Sequence, residues 1–233
     1  MRIFLLSVGF ALSWFCLCAG PLRAAEEYMP WRKGTVWSYA AKVDWVDNQT
    51  KEIKSDKIRY EVTVVDTYAS GAIRAARLRG FVFDLAWYEP GKKPSDCLLV
   101  QIGPNHLFLI EDGVEKLWPE LARGAYDSYF PQLEEAQMLL EMPLTENARW
   151  GDLANSPRDM YCWIASEGGK FAPSSVAGAP RLTAKEKEFE ISCRTNPDAT
   201  AFGVVRGLGI IWYSYHHHGT TSDAVAQLVK YKP

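Results

Sequence analysis

Residues 37–45, Trp-Ser-Tyr-Ala-Ala-Lys-Val-Asp-Trp, carry an apolar side chain at every second position. Because successive side chains of a strand point to opposite faces, this alternation predicts a half-buried β-strand. A polar turn begins at Asp47, and the same period returns in residues 58–64, Ile-Arg-Tyr-Glu-Val-Thr-Val. The two runs together predict a long antiparallel hairpin.

The alternation of apolar and polar residues recurs along most of the chain but is absent from its middle. Further strands are predicted at 73–79, 81–87, 97–102, 106–110, 159–165, 186–195, 209–218 and 224–231. A helix is predicted over 131–142, where Pro131 occupies the first turn and Leu133, Ala136, Leu139 and Leu140 have helical spacing. We therefore predict a mainly β fold, an antiparallel barrel or strongly curved sheet of about ten strands, with one short helix over its open mouth.

The composition is that of a globular protein. The chain has 233 residues, of which 48% are hydrophobic and 23% charged, with a net charge of −2. These values exclude collagen-like, low-complexity and disordered classes. A pI near 6.1 with interspersed charge argues against nucleic acid or an acidic membrane surface as partner.

Residues 1–25 have the organisation of a secretory signal peptide. Arg2 is followed by an uncharged apolar run from Ile3 to Ala19, and then by Pro21 and the small pair Ala24–Ala25. The alternative is an N-terminal membrane anchor, because the run is close to the shortest that spans a bilayer. We expect cleavage and a secreted or periplasmic protein. No later stretch is apolar and long enough to cross a membrane.

Residues 26–233 are predicted to form a single β-rich domain with an internal echo. Met29-Pro-Trp-Arg-Lys-Gly-Thr-Val-Trp37 and Met142-Pro-Leu-Thr-Glu-Asn-Ala-Arg-Trp150 share Met-Pro, an apolar residue, Gly or Asn, and Trp in register. Gly and Asn best tolerate a left-handed conformation, so both segments fit one turn that leads a Trp into a strand. One interpretation is two related halves, 28–113 and 141–233; the other is chance similarity over nine positions.

Three cysteines lie after the predicted signal peptide. In an oxidising compartment two of them should pair, and Cys162 and Cys193 lie in strand-like runs that flank one loop. A Cys162–Cys193 disulfide would close a loop of about 30 residues and contribute ~3 kcal/mol in the chain-entropy model. Cys97 is then expected to be a buried apolar thiol rather than a nucleophile, because it has no basic neighbour.

The run Tyr215-His-His-His-Gly-Thr is the conspicuous cluster of ligand-type residues. On a strand, His216 and His218 point to the same face, where two imidazoles could bind Zn or Cu with one or two further ligands. The alternative is that three polar residues end a strand before a glycine turn. His216 and His218 are the candidate metal ligands, and no cofactor is expected.

Known catalytic patterns are missing from the sequence. G-x-S-x-G, H-E-x-x-H, P-loop and C-x-x-C patterns do not occur. Trp, Tyr and Phe instead fall on the apolar faces of the predicted strands, where they either pack a core or line a ligand cavity. We therefore expect a non-enzymatic binding protein for a lipid, another hydrophobic ligand or an envelope protein. A metal-binding protein and a hydrolase with an unrecognised site are the alternatives.

Two terminal stretches resemble a family. Tyr28-Met-Pro-Trp-Arg-Lys-Gly-Thr-Val-Trp-Ser-Tyr39 resembles the Y-x-P-L-x-x-G-x-x-W-x-Y opening of uncharacterised secreted bacterial β-rich proteins, with Trp31 in place of Leu. Phe202 to Leu228, with Gly207-Leu-Gly-Ile, is similar to their closing G-x-G-[IV] hairpin. The resemblance covers about forty residues. It implies a barrel comparable to lipoprotein-carrier domains, which would bind an acyl chain or hydrophobic peptide, and it transfers no catalytic residue.

Overall fold

The computed structural model describes most of the chain that follows the predicted leader. The described residues are 28–47, 49–125, 133, 137–153, 159–169, 175–180, 186–218 and 222–233. The predicted signal peptide, residues 1–25, lies outside them.

Twelve strands form the sheet. They are β1 (Val36–Val46), β2 (Ile53–Ser70), β3 (Ile73–Arg79), β4 (Asp96–Ile102), β5 (His106–Ile110), β6 (Gln137–Glu141), β7 (Arg149–Gly151), β8 (Cys162–Glu167), β9 (Glu188–Arg194), β10 (Asp198–Val205), β11 (Gly209–His217) and β12 (Ser222–Lys232). The hairpin predicted from residues 37–64 is β1–β2, with Trp37 opposite Val62.

The sheet consists of two antiparallel meanders that share one central pair. Its order is β6-β5-β4-β3-β2-β1-β12-β11-β10-β9-β8-β7, so each half runs through consecutive strands and β1 pairs with β12. The two edge strands, β6 and β7, lie side by side. There Trp150 Nε1–H donates to the Met138 carbonyl at 3.0 Å. The prediction of a mainly β fold, an antiparallel barrel or strongly curved sheet, is thus confirmed, and the sheet is a nearly closed barrel.

Large apolar side chains from both meanders fill the concave side of the sheet. Those buried there include Trp37, Tyr39, Leu78, Leu99, Trp150, Phe202 and Tyr213. Two of these polar atoms bond to backbone carbonyls: Trp37 Nε1–H donates to the Leu208 carbonyl at 2.6 Å and Tyr39 Oη–H to the Ile210 carbonyl at 2.8 Å. At this end of the barrel the segment 28–31 closes the interior with buried Met29 and Trp31.

The helix lies elsewhere than the sequence predicted. Residues 137–141 of the predicted helix 131–142 form strand β6 on β5, because pairing with β5 supplies their backbone hydrogen bonds. Leu133 is helical, as predicted, and positions 131, 132 and 134–136 lie outside the described residues. The helix described over several turns is α1, Val114–Ala122, and it covers the outer face of β3–β5 rather than an open mouth. No helix in the described ranges is long and apolar enough to span a membrane.

The predicted strand 81–87 is also wrong. These residues leave the sheet after Gly80 (φ 78°) and form a short 3-10 helix, Val82–Leu85. Gly80 is required there because an added Cβ would lie 2.8 Å from the Glu61 carbonyl. We call residues 81–88 the plug, since they turn into the barrel instead of pairing with a neighbouring strand.

The two echo segments adopt the same turn. Gly34 and Asn147 both have left-handed backbones, with φ of 89° and 62°. Gly34 N–H donates to the Val64 carbonyl at 2.9 Å, and Asn147 N–H donates to the Ala165 carbonyl at 2.8 Å. The bonds in the reverse direction also match: Val64 N–H donates to the Thr35 carbonyl and Ala165 N–H to the Ala148 carbonyl, both at 2.9 Å. Trp37 and Trp150 then enter β1 and β7 as their second residues.

Candidate functional site

The plug fills the aromatic interior that the sequence had suggested as a ligand cavity. The Phe83 ring lies 5.2 Å from Tyr213, 5.7 Å from Phe202 and 6.2 Å from Trp163, measured between centroids. Phe81 and Leu85 on either side are buried. This apolar packing occupies the space between the two meanders, so the chain's own residues take the position expected for a bound hydrophobic ligand.

Polar contacts hold the plug in place. The Asp84 carboxylate accepts from the Tyr60 hydroxyl, from Phe81 N–H at 3.3 Å and from Ser95 N–H at 3.2 Å. Burial and the hydrogen bond to Asp84 raise the pKa of Tyr60 far above its ordinary value, so the phenol stays protonated as a donor. Ser222, the first residue of β12, donates its hydroxyl to the Ala86 carbonyl. The plug is therefore bonded to both meanders.

A cleft opens between the tip of the plug and the β1–β2 turn. Its volume is 710 Å³, within the range of small-molecule sites, about 300–1,000 Å³. We call it the mouth cleft; its lining includes Trp45, Asp47, Lys51, Trp87, Tyr88 and Ser222. Trp45 and Tyr88 meet edge to face at 5.1 Å, and Trp87 is 54% exposed. Three aromatic rings thus border a space that is open to solvent.

The turn that forms the other side of the cleft is well ordered by hydrogen bonds. The Asp47 carboxylate accepts from Gln49 N–H at 2.8 Å and Thr50 N–H at 2.9 Å. These two bonds lower the pKa of Asp47, which stays ionised. Lys51 has a left-handed backbone, and its N–H donates to the Asp47 carbonyl at 2.8 Å. The cleft therefore has one aromatic side and one polar side.

A polar group lies next to Trp87 at the same rim. The Asp198 carboxylate accepts from the Tyr215 hydroxyl at 2.6 Å and lies 2.7 Å from His217 Nδ1. Burial alone would raise the pKa of Asp198, but the hydrogen bonds from Tyr215 and His217 outweigh it and the pKa is lowered. The Trp87 ring lies 4.9 Å from the His217 ring and 6.0 Å from Tyr215. The Trp87 ring thus contacts the rings of both hydrogen-bond donors to Asp198.

The candidate metal ligands lie together at the end of β11. The rings of His216 and His218 are 4.6 Å apart, on the shared face that the strand period predicts. His216 Nδ1 is engaged by the Asp223 carboxylate. Within the part of the chain that the structure describes, no group of three or more His, Cys, Asp or Glu side chains is arranged to hold a metal ion. Metal binding by His216 and His218 stays a prediction that requires ligands from elsewhere.

The predicted disulfide is not formed in the structure. Cys97, Cys162 and Cys193 are free thiols, and Cys97 is buried as expected. In the register of β8 on β9, Trp163 stands opposite Cys193, so Cys162 projects from the opposite face of the sheet. Cys162 Sγ instead lies 3.4 Å from Arg149 Nη2.

The sequence did not single out the residues of the mouth cleft. The alternation places Trp45 on the core face of β1, and the predicted strand 81–87 ends at Trp87. None of the sequence-predicted site residues, His216, His218, Cys162 and Cys193, lines the cleft. The available signal was the loop 89–94, Glu-Pro-Gly-Lys-Lys-Pro, which follows Trp87–Tyr88 and leaves two large aromatics beside a turn.

No family model matches the chain. No curated protein matches it either. A solved structure from Bacteroides fragilis NCTC 9343, a "putative exported protein with YmcC-like fold", aligns with 88% of this chain and 99% of that one at 10% identity and a TM-score of 0.40. A "putative lipoprotein" from Parabacteroides distasonis ATCC 8503 aligns with 87% and 96% at 12% identity and a TM-score of 0.37. Both similarities are too weak to support an argument about this chain.

Proposed function

We propose that this protein is a secreted or periplasmic binding protein that holds an apolar ligand in the mouth cleft. The observation that carries the proposal is Trp87, a large aromatic side chain left 54% exposed beside a 710 Å³ cleft. Covering a side chain of this size by an apolar group removes a large apolar area from water, at roughly 25 cal/mol per Å². The signal-peptide organisation of residues 1–25 supports the compartment.

The cleft favours a ligand with one flat apolar side. Trp45, Trp87 and Tyr88 offer ring surfaces, and ring pairs prefer edge or offset contacts at about 4.5–7 Å. Asp47 and Lys51 lie on the opposite side, where they would fix the orientation of any polar group. Because plug and turn are each held by hydrogen bonds, the cleft is formed before a ligand arrives, which lowers the entropy cost of binding.

The test is titration of residues 26–233 with N-phenyl-1-naphthylamine, a neutral apolar fluorophore. We expect saturable enhancement of fluorescence and about tenfold weaker binding by Trp87→Ala, equivalent to about 1.4 kcal/mol. The control is Tyr161→Ala, an aromatic residue that is 45% exposed and is not part of the cleft. Equal affinity of both variants would overturn the site. If the probe does not bind, and an envelope protein co-purifies with the native protein but not with Trp87→Ala, the cleft would be assigned to a protein partner.

A further inference from the structure

A second concavity lies on the outer face of the sheet, across β2, β1, β12 and β11. Its volume is 570 Å³. Two rows of cross-strand neighbours line it, Arg59–Ala40–Gln227–Trp212 and Lys57–Lys42–Val225. Ala40 is short and stands between Arg59 and Gln227, so the first row is low at Ala40. We call this space the outer groove.

The floor and one wall of the outer groove are apolar. Val225 projects from β12 and is 54% exposed, although Val is a residue type usually buried in folded proteins. Trp212 forms the wall on the β11 side and is partly buried. Ala40, Val225 and the indole ring therefore form the apolar part of the groove, with the Gln227 amide between Ala40 and Trp212.

The Trp212 ring is held in position by two neighbours. Its Nε1–H donates to the Glu188 carboxylate at 2.5 Å. Gly203, directly opposite on β10, makes room for the ring, because a Cβ at that position would lie 2.2 Å from Nε1. A side chain that is fixed before binding loses less entropy when a ligand packs on it.

The other wall of the outer groove is positively charged. Lys57 and Arg59 project from β2, and neither has an ion-pair partner among the described residues. Lys42 pairs with Asp44 at 2.6 Å. Among nearby acids, Glu61 accepts from the Ser38 hydroxyl, Glu188 from the Trp212 indole, and Asp223 contacts His216. Lys57 and Arg59 thus border the apolar part of the groove without an ion pair among the described residues.

We propose that the outer groove binds a single-chain anionic lipid. Its acidic head would contact Lys57 and Arg59, where hydrogen bonds between oppositely charged groups are the strong ones. The acyl chain would cross Ala40 and Val225 and end against Trp212. This site is separate from the mouth cleft, so it does not depend on the proposed function of that cleft.

The test is isothermal titration of residues 26–233 with monomeric dodecanoate, below its micelle concentration. We expect saturable binding that weakens at least about tenfold in Lys57→Glu/Arg59→Glu and weakens as salt is raised, because the pair lies at the surface. The matched control is Lys230→Glu/Lys232→Glu, with the same change in charge on the neighbouring strand β12 but outside the groove.

Three results would overturn the proposal. The first is equal loss of affinity in the two double variants, which would show a general charge effect. The second is equal binding of dodecyltrimethylammonium, a cation with the same chain. The third is binding to anionic phosphatidylglycerol vesicles or to a polyglutamate peptide without binding to dodecanoate, which would assign the face to a membrane surface or an acidic protein.

As a second variant, Val225→Asp changes an exposed side chain and should abolish binding without disturbing the fold.

Discussion

Asp198 connects β10 to β11 through Tyr215 and His217, and this contact should make stability depend on pH. Hydrogen bonds from both partners outweigh burial and lower its pKa below the ordinary value of 3.8. The carboxylate therefore stabilises the fold fully above about pH 5, and this contribution is lost as the pH falls through and below about 4. We expect Asp198→Asn to be less stable than the native protein at pH 7 and to lose less stability between pH 7 and pH 3.

Urea unfolding at several pH values measures this difference. Glu190→Gln, which changes an exposed carboxylate on β9, serves as the control and should follow the native pH profile. Parallel profiles for Asp198→Asn and the native protein would contradict the role given to Asp198.

The cysteines allow a direct count of thiols. Burial raises the pKa of Cys193 to about 11 and that of Cys97 well above its ordinary value, so both are protonated at neutral pH and react slowly. We expect residues 26–233 to react slowly with Ellman's reagent when folded and to release three equivalents in urea. One equivalent in urea would instead show that Cys162 and Cys193 are joined as the sequence suggested.

At the scale of single elements, the two left-handed turns explain why Gly34 and Asn147 stand at matching positions. An added Cβ at Gly34 would meet no atom within 4 Å, so Gly34→Ala isolates the cost of the left-handed backbone. We expect a loss of about 1–2 kcal/mol in the free energy of unfolding. Asn147→Gly should be neutral or slightly stabilising. The control is Gly169→Ala, where a Cβ also meets nothing and φ is not in the left-handed region.

The corresponding bonds around these turns lead us to propose that the two meanders are related halves. Each begins with Met-Pro, a left-handed turn and a buried Trp, and each continues through six consecutive strands. Equal destabilisation by Trp37→Phe and Trp150→Phe, each of which removes one indole hydrogen bond to a carbonyl, would support equivalent roles.

Gly203 shows how one strand accommodates a tryptophan of its neighbour. Gly203→Ala would place a Cβ 2.2 Å from Trp212 Nε1 and should cost about 1–3 kcal/mol, because the indole must move and lose its bond to Glu188. A double-mutant cycle measures this coupling. In the Trp212→Ala background we expect little penalty from Gly203→Ala. An unchanged penalty there would assign the cost to the backbone instead.

Strands with clear alternation were predictable, and the exceptions have physical causes. Strand β10 was not predicted, because Ala199, Ala201 and Gly203 are poor strand formers. The structure shows why a glycine stands at position 203: a Cβ there would clash with the Trp212 ring. The helix α1 was missed although Val114, Leu117, Trp118 and Leu121 have helical spacing; Pro119 within it obscured the pattern. Segment 137–141 was assigned to a helix because local spacing does not report pairing with β5.

The candidate site was less predictable than the fold. Phe81, Phe83, Leu85 and Trp87 alternate like a buried strand, and only the tertiary structure shows that the first three enter the barrel while Trp87 is left exposed at its rim. The three that enter are buried by packing against side chains of other strands, without pairing in the sheet. An alternating apolar pattern does not distinguish this arrangement from a buried strand. The mouth cleft and the outer groove both depend on side chains brought together from distant strands, which spacing along one segment cannot indicate.

For the whole molecule, the plug determines whether the barrel interior is closed. Phe83→Ala removes the ring that contacts Trp163, Phe202 and Tyr213, and we expect a loss of about 3 kcal/mol, the lower end for a Phe→Ala change because Phe83 is half-buried. The resulting space would be apolar and should take up xenon or benzene, seen as shifts of nearby methyl resonances. Leu153→Ala, 52% exposed, is the control. No uptake by the Phe83 variant would mean that the interior collapses instead.

The pairing of β1 with β12 has a consequence for how the protein reaches its fold. The register joins Val36 to Lys232, so the central pair of the sheet forms only when residues 36–46 and 222–232 are both available. Contacts between residues so distant in sequence slow folding, because a long loop must close before they form. The first meander therefore spends its synthesis and transport with β1 as an exposed edge carrying Trp37 and Tyr39, a surface prone to aggregation. Pairing of β12 with β1 ends this exposure. A chaperone that holds the unfolded chain would protect it until then.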